Sequence, residues 1–405
     1  MDISKRTIDL GTETAFEVLA EVNRLRREGK DIISFCIGQP DFDTPQHIKD
    51  AAIKAINDGK TGYTDSAGVM SVRESVARYL SRTRHVDVKP EHVVIANGAK
   101  PFIAYTVACT TDHGVGDEVI YPNPGFPIYQ SQIIANGAVP VPLPLSEKRK
   151  FSFDIEELKA RISNRTKLLI LNTPQNPTGG ILEEDDLKEV AALAKKHDFW
   201  VYADEVYCTL SYDKEFKSIA SLPDMYERTI ISDGASKSYA MTGWRMGYIA
   251  NPTLAPHIAR WVTNTESCAN HMSQYALAAA LDGSQVESER MAASFKERRD
   301  IIVKLLNEID GVRCLMPGGA FYAFPNVTAA VKKLKLKDSE ELRRLLLKHG
   351  VAVLADIHFG RRNPGDPEQH IRLSYATSKE NILEGIRRMK AVMGTKGTQD
   401  GTLTW

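Results

Sequence analysis

From about residue 45 to residue 282 the chain alternates short apolar runs with amphipathic stretches, and this alternation is the feature that most restricts its fold. Apolar runs fall near 93–96, 118–121, 138–142, 167–172, 199–204, 229–232 and 247–250. Between them, apolar residues recur at helical spacing near 45–58, 68–83, 99–110, 126–136, 183–197, 252–263 and 268–282. Runs that are apolar throughout mark strands covered on both faces. Strands that alternate with helices predict an α/β fold with a mainly parallel, doubly covered, seven-stranded sheet. Beyond a long charged helical stretch at 285–308 the order changes to strand AFYAFPNV, helix SEELRRLLLKHG, strands VAVLA and HIRLSYA, and helix KENILEGIRRMKAVM. This predicts a smaller α+β domain. The expected division is a large domain at 45–290, a small domain from 1–44 and 291–393, and a poorly ordered polar tail at 394–405.

The 52 basic and 52 acidic residues cancel, so no net field favours nucleic acid or an anionic membrane, and a small molecule is the better expectation for a ligand. Five scattered cysteines, Cys36, Cys109, Cys208, Cys268 and Cys314, form no CxxC pair and have no histidine at metal spacing. They read as reduced thiols, and no metal site is expected. The segment MDISKRTIDLGTETAFEVLAEV is charged and helix-like, and no long apolar stretch is present, so a soluble cytoplasmic protein is expected. Neither GxGxxG after a strand nor a Walker-type loop occurs, which disfavours a nicotinamide or nucleotide enzyme.

In a parallel sheet, ligands bind at the carboxyl ends of the strands, and the unusual residues fall there. Lys237, in SDGASKSYAMTGWRMGY, lies on the turn between the apolar runs TIIS and GYIA, and Arg245 follows behind a Thr-Gly-Trp corner. Lysine forms Schiff bases with carbonyls and arginine grips phosphate with two hydrogen bonds, so an aldehyde cofactor bearing a phosphate would use both. Asp204 closes the run FWVYAD, where a buried carboxylate needs a cation, such as a ring N–H or a nearby arginine. Tyr207 follows it, and Asn176 sits on the Pro-rich turn QNPTGG. Gly98, Ala99 and Lys100 stand where a strand passes into a helix, a place whose free N–H groups suit a phosphate. Phe126, in YPNPGFPIY, offers a ring for stacking or for the core. Arg372 within HIRLSYA is suited to holding a carboxylate.

Together GQPDFDTP, GYTDSAG, NGAK, NPTGG, YADEVY, SKSYAMTGWRMGY, GGAFY and HIRLSYATS resemble, in order, the motifs of the fold-type I, pyridoxal-phosphate-dependent class I/II aminotransferases. The likeness runs to about residue 393 and is nearest to the prokaryotic aspartate-aminotransferase-like subgroup. It implies that Lys237 carries the cofactor and serves as the proton-transfer base, that Asp204 pairs with the pyridine nitrogen, and that Tyr207 and Asn176 bond the ring oxygen. It further implies that Arg245, Gly98 and Ala99 hold the phosphate, that Phe126 stacks on the ring, and that Tyr63 reaches the phosphate from the other subunit of a homodimer. Arg372, with Asn176 and the backbone of Gly38, would bind the substrate α-carboxylate. One departure is Gly234, where many relatives have a phosphate-binding serine; Ser236 is the candidate replacement.

The resemblance leaves the substrate open among acidic, aromatic and other neutral amino acids, with 2-oxoglutarate or pyruvate as acceptor. Lys100 is expected either to hold a distal carboxylate or to help with the phosphate, and Glu266 would repel a second carboxylate if it pointed inward. The rival readings are a C–S lyase or another eliminating enzyme of the same cofactor family, and a cofactor-binding regulator.

Overall fold

The computed structural model describes residues 1–8, 10–363 and 365–396. In chain order its strands are β1 Ile33–Ser34, β2 Val93–Asn97, β3 Glu118–Asn123, β4 Val139–Ser146, β5 Ser152–Phe153, β6 Thr166–Asn172, β7 Trp200–Asp204, β8 Thr229–Gly234, β9 Met246–Ala250, β10 Tyr322–Ala323, β11 Val351–Ala352, β12 Leu354–Ala355 and β13 Ile371–Ser374. The large sheet runs β2-β9-β8-β7-β6-β3-β4-β5. Its centre is parallel, while β9 is antiparallel to both β2 and β8.

The sheet has one strand more than the seven expected. The eighth, β5, is a two-residue antiparallel addition to the outer edge of β4, too short to leave a periodic signal. Pro140, Pro142 and Pro144 alternate along β4, which suits a strand whose outer edge is uncovered over most of its length. Alternation along each strand feeds separate cores. Val94, Tyr202 and Ile230 join one apolar cluster, whereas their neighbours Ile95, Val201 and Ile231 join clusters on the opposite face. Both faces are therefore covered by helices, among them Met70–Arg84, Lys100–Thr110 and Glu184–His197.

After the helix Val286–Leu306, β10, β13 and β12 form an antiparallel sheet of three strands, and β1 pairs in parallel with β11. The run VAVLA, expected as one strand, is split between these two sheets. The chain bends at Val353, so β11 meets β1 and β12 meets β13. Helix Ser339–Lys348 begins with Asp338 accepting from the amide of Glu341, and helix Lys379–Met393 begins with Ser378 accepting from that of Asn381.

Gly394, Thr395 and Lys396, the first residues of the expected loose tail, are held to the small domain. Gly394 accepts from the amide of Asp310, Thr395 bridges to Ile309, and Lys396 Nζ donates to the Asn307 carbonyl at 2.8 Å. Residues 397–405 lie outside the described residues. Among those described, no helix is long and apolar enough to cross a membrane.

Candidate active site

The strand register brings the site together. Asn172 on β6 stands beside Asp204 on β7, which stands beside Ser232 on β8, so three carboxyl ends open side by side. Over them lies a cavity of about 450 Å³ whose walls include Gly38, Ala99, Lys100, Phe126, Asn176, Asp204, Tyr207, Ser236, Lys237, Arg245 and Arg372. Residues from seven separate stretches of chain thus converge.

Lys237 follows β8, and its Nζ donates to the carbonyl of Gly38. Burial pulls its ammonium down to about 8; the carboxylate of Glu13 opposes this fall, and the cations Arg372, Arg245 and Lys100 reinforce it. Asp204 is buried and accepts from the Tyr129 hydroxyl at 2.6 Å. No cation of the chain pairs with it among the described residues. Burial raises its carboxyl to about 6, with Tyr129 pulling the other way and Asp233 and Glu205 adding to the rise. Tyr207 and Tyr322 share a hydroxyl hydrogen bond of 2.7 Å.

Arg372, on β13, donates Nη1 to Asn176 Oδ1 at 2.9 Å and Nη2 to the Cys36 carbonyl. Its buried Nε has no partner among the described residues. The guanidinium lies between the rings of Tyr322 and Phe359, 4.4 and 4.7 Å from their centroids. Arg245 has left-handed backbone (φ 56°) and donates only to carbonyls, those of Thr242 at 3.0 Å and Asn97 at 3.4 Å.

Gly98 does not reach the cavity wall; it packs behind Arg245. Its φ of +99° favours glycine, and a Cβ there would lie 2.1 Å from Arg245 Nη2 and push that guanidinium from its place. Gly234 explains the missing serine. A Cβ at that position would come within 2.8 Å of the Met246 carbonyl oxygen, so this backbone has no room for one, while Ser236 does line the cavity. Tyr63 lies outside the cavity of its own chain and is 89% exposed. Glu266 also lies outside it. Its carboxylate accepts from the amide and side chain of Asn97 and from the Tyr105 hydroxyl, so it braces the end of β2 and cannot repel a substrate.

Among the wall residues that escaped sequence reasoning are Glu13, Phe16, Tyr129 and Tyr322. Tyr322 stood within the GGAFY motif. Glu13 carried no signal beyond that of an acid near a helix start. Elsewhere, Glu147, Glu368 and His370 bring three possible ligand atoms within 4.8 Å of one another. Arg313 Nη2 bridges both carboxylates, which accounts for that cluster without an ion.

This cavity at the strand ends, with one buried lysine, one buried carboxylate and two arginines free of carboxylates, defines the centre of an amino-group-transferring enzyme. Residues 30–389 match the family model "Aminotransferase class I and II". Aspartate aminotransferase of Bacillus subtilis is 36% identical over 394 residues, covering 96% of this chain and 98% of that protein. Aromatic-amino-acid aminotransferase 2 of Thermococcus litoralis is 37% identical over 372 residues, covering 90% and 92%. Among solved structures, aspartate aminotransferase from Thermus thermophilus with maleate superposes with a TM-score of 0.91 at 32% identity, covering 97% of this chain and 100% of that one. The chain belongs to the class I and II aminotransferases, with their fold-type I architecture, and is an amino-acid aminotransferase.

Proposed function

We propose that the enzyme uses pyridoxal phosphate to exchange the amino group between an L-amino acid and a 2-oxo acid such as 2-oxoglutarate or pyruvate, and that it works as a cytoplasmic homodimer. The observation that carries this reading is the charge left unpaired in one cavity: Lys237, Arg245 and Arg372 have no carboxylate partner among the described residues, and Asp204 has no cation. Such groups are costly to hold unless a ligand completes them.

The residues present fit that cofactor. Arg245, with the backbone at Ala99 and the hydroxyl of Ser236, would hold the phosphate, and Gly98 would act only by leaving room for the Arg245 guanidinium. Asp204, Tyr207 and Asn176 would hold the ring, with Phe126 against its face. The bound cofactor supplies an aldehyde for the amino group and a ring that spreads the negative charge left at Cα.

Arg372 then fixes the α-carboxylate, its unpartnered Nε and its two Nη groups providing donors on one edge. That grip orients the Cα–H bond toward Lys237. With its ammonium drawn down to about 8, Lys237 loses its proton readily near neutral pH and can take one from Cα. Asp204 would accept from the ring N–H and so keep that nitrogen protonated. The apolar walls at Ile37, Ile103 and Phe126 limit access of water.

Two features support a shared site. Arg245 also borders a wider cleft of about 600 Å³ lined by Phe42, Trp244 and Asn270, and Tyr63 stands exposed where a second subunit could receive it. The five free cysteines suit a reducing compartment.

The test is the visible spectrum of the protein loaded with pyridoxal phosphate, mixed with each of the twenty amino acids in turn, followed by product analysis with 2-oxoglutarate and with pyruvate. Loss of the cofactor band and a new amino acid without free ammonia is expected. Release of ammonia with the 2-oxo acid would instead identify a lyase.

A further inference from the structure

Lys100 is the one cation of the cavity that the proposed reaction leaves unassigned, and the chain has already provided it with a counter-ion. Its Nζ lies 2.8 Å from Glu13 Oε2, across 87 residues of sequence. The ammonium also sits 5.7 Å from the Phe16 ring centroid and 5.4 Å from that of Phe126. Glu13 and Phe16 flank the start of helix Ala15–Arg27, so this N-terminal segment covers Lys100 with one carboxylate and one aromatic face. Glu13 is the more enclosed partner, its side chain 23% exposed against 42% for Lys100. Among the described residues it is also the only acid besides Asp204 on the cavity wall, and it acts electrostatically on both Lys237 and Tyr322.

We infer that Glu13 is a specificity-determining residue: by occupying Lys100 with an internal carboxylate, it sets this aminotransferase to prefer amino acids with uncharged, apolar side chains over dicarboxylic ones. The inference rests on the transaminase reading of the same cavity and deepens it.

The other cations are committed to the α-carboxylate, the phosphate and proton transfer, so a distal carboxylate can turn only to Lys100. To reach it, that carboxylate must displace Glu13 or stand beside it, and two carboxylates facing one ammonium repel each other. An aromatic or aliphatic side chain meets no such conflict. It lies against Phe16, Ile37 and Ile103 and leaves the ion pair intact. Lysine suits this arrangement because its point charge is satisfied by a single carboxylate oxygen, whereas a guanidinium would keep donors free for a second one.

The experiment compares the loaded wild-type enzyme with Glu13→Gln, which keeps the shape and removes the charge. Two readouts are taken: kcat/KM for aspartate and for phenylalanine, and calorimetric binding of the unreactive probes maleate and 3-phenylpropanoate. Glu13→Gln is expected to raise the aspartate-to-phenylalanine ratio of kcat/KM about two- to fivefold, the size of one partly exposed charge pair. Maleate binding should tighten relative to 3-phenylpropanoate by a similar factor. Both gains should vanish when the change is made in a Lys100→Met background, since the effect acts through that ammonium. Unchanged or lowered ratios in Glu13→Gln would overturn the inference while leaving the transaminase reading intact. An enzyme that transaminates neither amino acid nor any other would sink that reading itself.

Discussion

Asp204 and Glu205 are adjacent in the chain and both buried, yet they are treated in opposite ways. Glu205 belongs to a closed cluster. Arg84, with a side chain 2% exposed, donates Nε to Glu205 at 2.8 Å and Nη2 to Asp233 Oδ2 at 2.7 Å; Tyr248 donates to that same oxygen, and Ser218 and the amide of Gly234 donate to the other oxygen of each carboxylate. The rings of Tyr79 and Phe216 flank the guanidinium. The two carboxylates there share one guanidinium, which works against the rise that burial imposes on both. One residue earlier, Asp204 has a tyrosine hydroxyl and no cation, and its carboxyl has drifted up to about 6. The contrast shows that this fold can supply a cation to a buried carboxylate at this depth, and that among the described residues none is supplied to Asp204. Closed clusters of this kind serve the fold, and open ones serve a ligand.

The sharpest way to break the comparison is Lys237→Ala. Turnover by the loaded enzyme should fall at least about a thousandfold, equivalent to about 4 kcal/mol, while circular dichroism stays that of a folded protein. Near-normal turnover would remove Lys237 from the chemistry. Next in size is Arg84→Met in the closed cluster. It leaves two carboxylates buried without their cation and should cost about 3–5 kcal/mol of stability in a denaturant titration at pH 7. An unchanged midpoint would show that the cluster does not depend on its arginine.

Arg372→Ala probes the open side. It should lower kcat/KM for amino acids by a factor of about 30 to several thousand, or roughly 2–5 kcal/mol, with far less effect on an amine that lacks a carboxylate. An equal loss for both substrates would give Arg372 another role.

The smallest expected effect has the opposite sign to that of Arg84→Met. The folded pKa of Asp204, about 6, exceeds the usual carboxylate value near 3.9. Between about pH 4 and pH 6 the folded state therefore holds the extra proton, and stability falls as pH rises; above pH 6 the cost of the buried charge is fully present. Without cofactor, Asp204→Asn should thus be more stable than wild type at pH 8, by something on the order of 1–3 kcal/mol, and the gain should shrink toward zero at pH 4. Thermal unfolding across that pH range reads it directly. A destabilised Asp204→Asn protein at pH 8 would mean that the carboxylate is satisfied within the chain after all.

Much of this was legible in the sequence. The seven main strands and their covering helices were, because continuous apolar runs and 3.6-residue periods are local properties. The residues at the strand ends stood out because charge and amide groups closing apolar runs are conspicuous. The two-residue β5 and the split of VAVLA were not legible, since each depends on which strand lies alongside. Glu266 illustrates the same limit: from sequence it stood near the expected pocket, and only the structure aims it at Asn97 and Tyr105.

By itself, then, the sequence determined the fold class, the family motifs and the kinds of side chain offered at each strand end. The tertiary structure decided which of those charges are answered and which stay open. Tyr129 meets Asp204 across 75 residues, Lys100 meets Glu13 across 87, and Arg372 meets Asn176 across 196. Pairing over such distances leaves no periodic trace in either partner's own segment. It is fixed only when the sheet register and the packing of the N-terminal segment bring the two groups within hydrogen-bonding reach, and the balance of charge in the cavity follows from that closure.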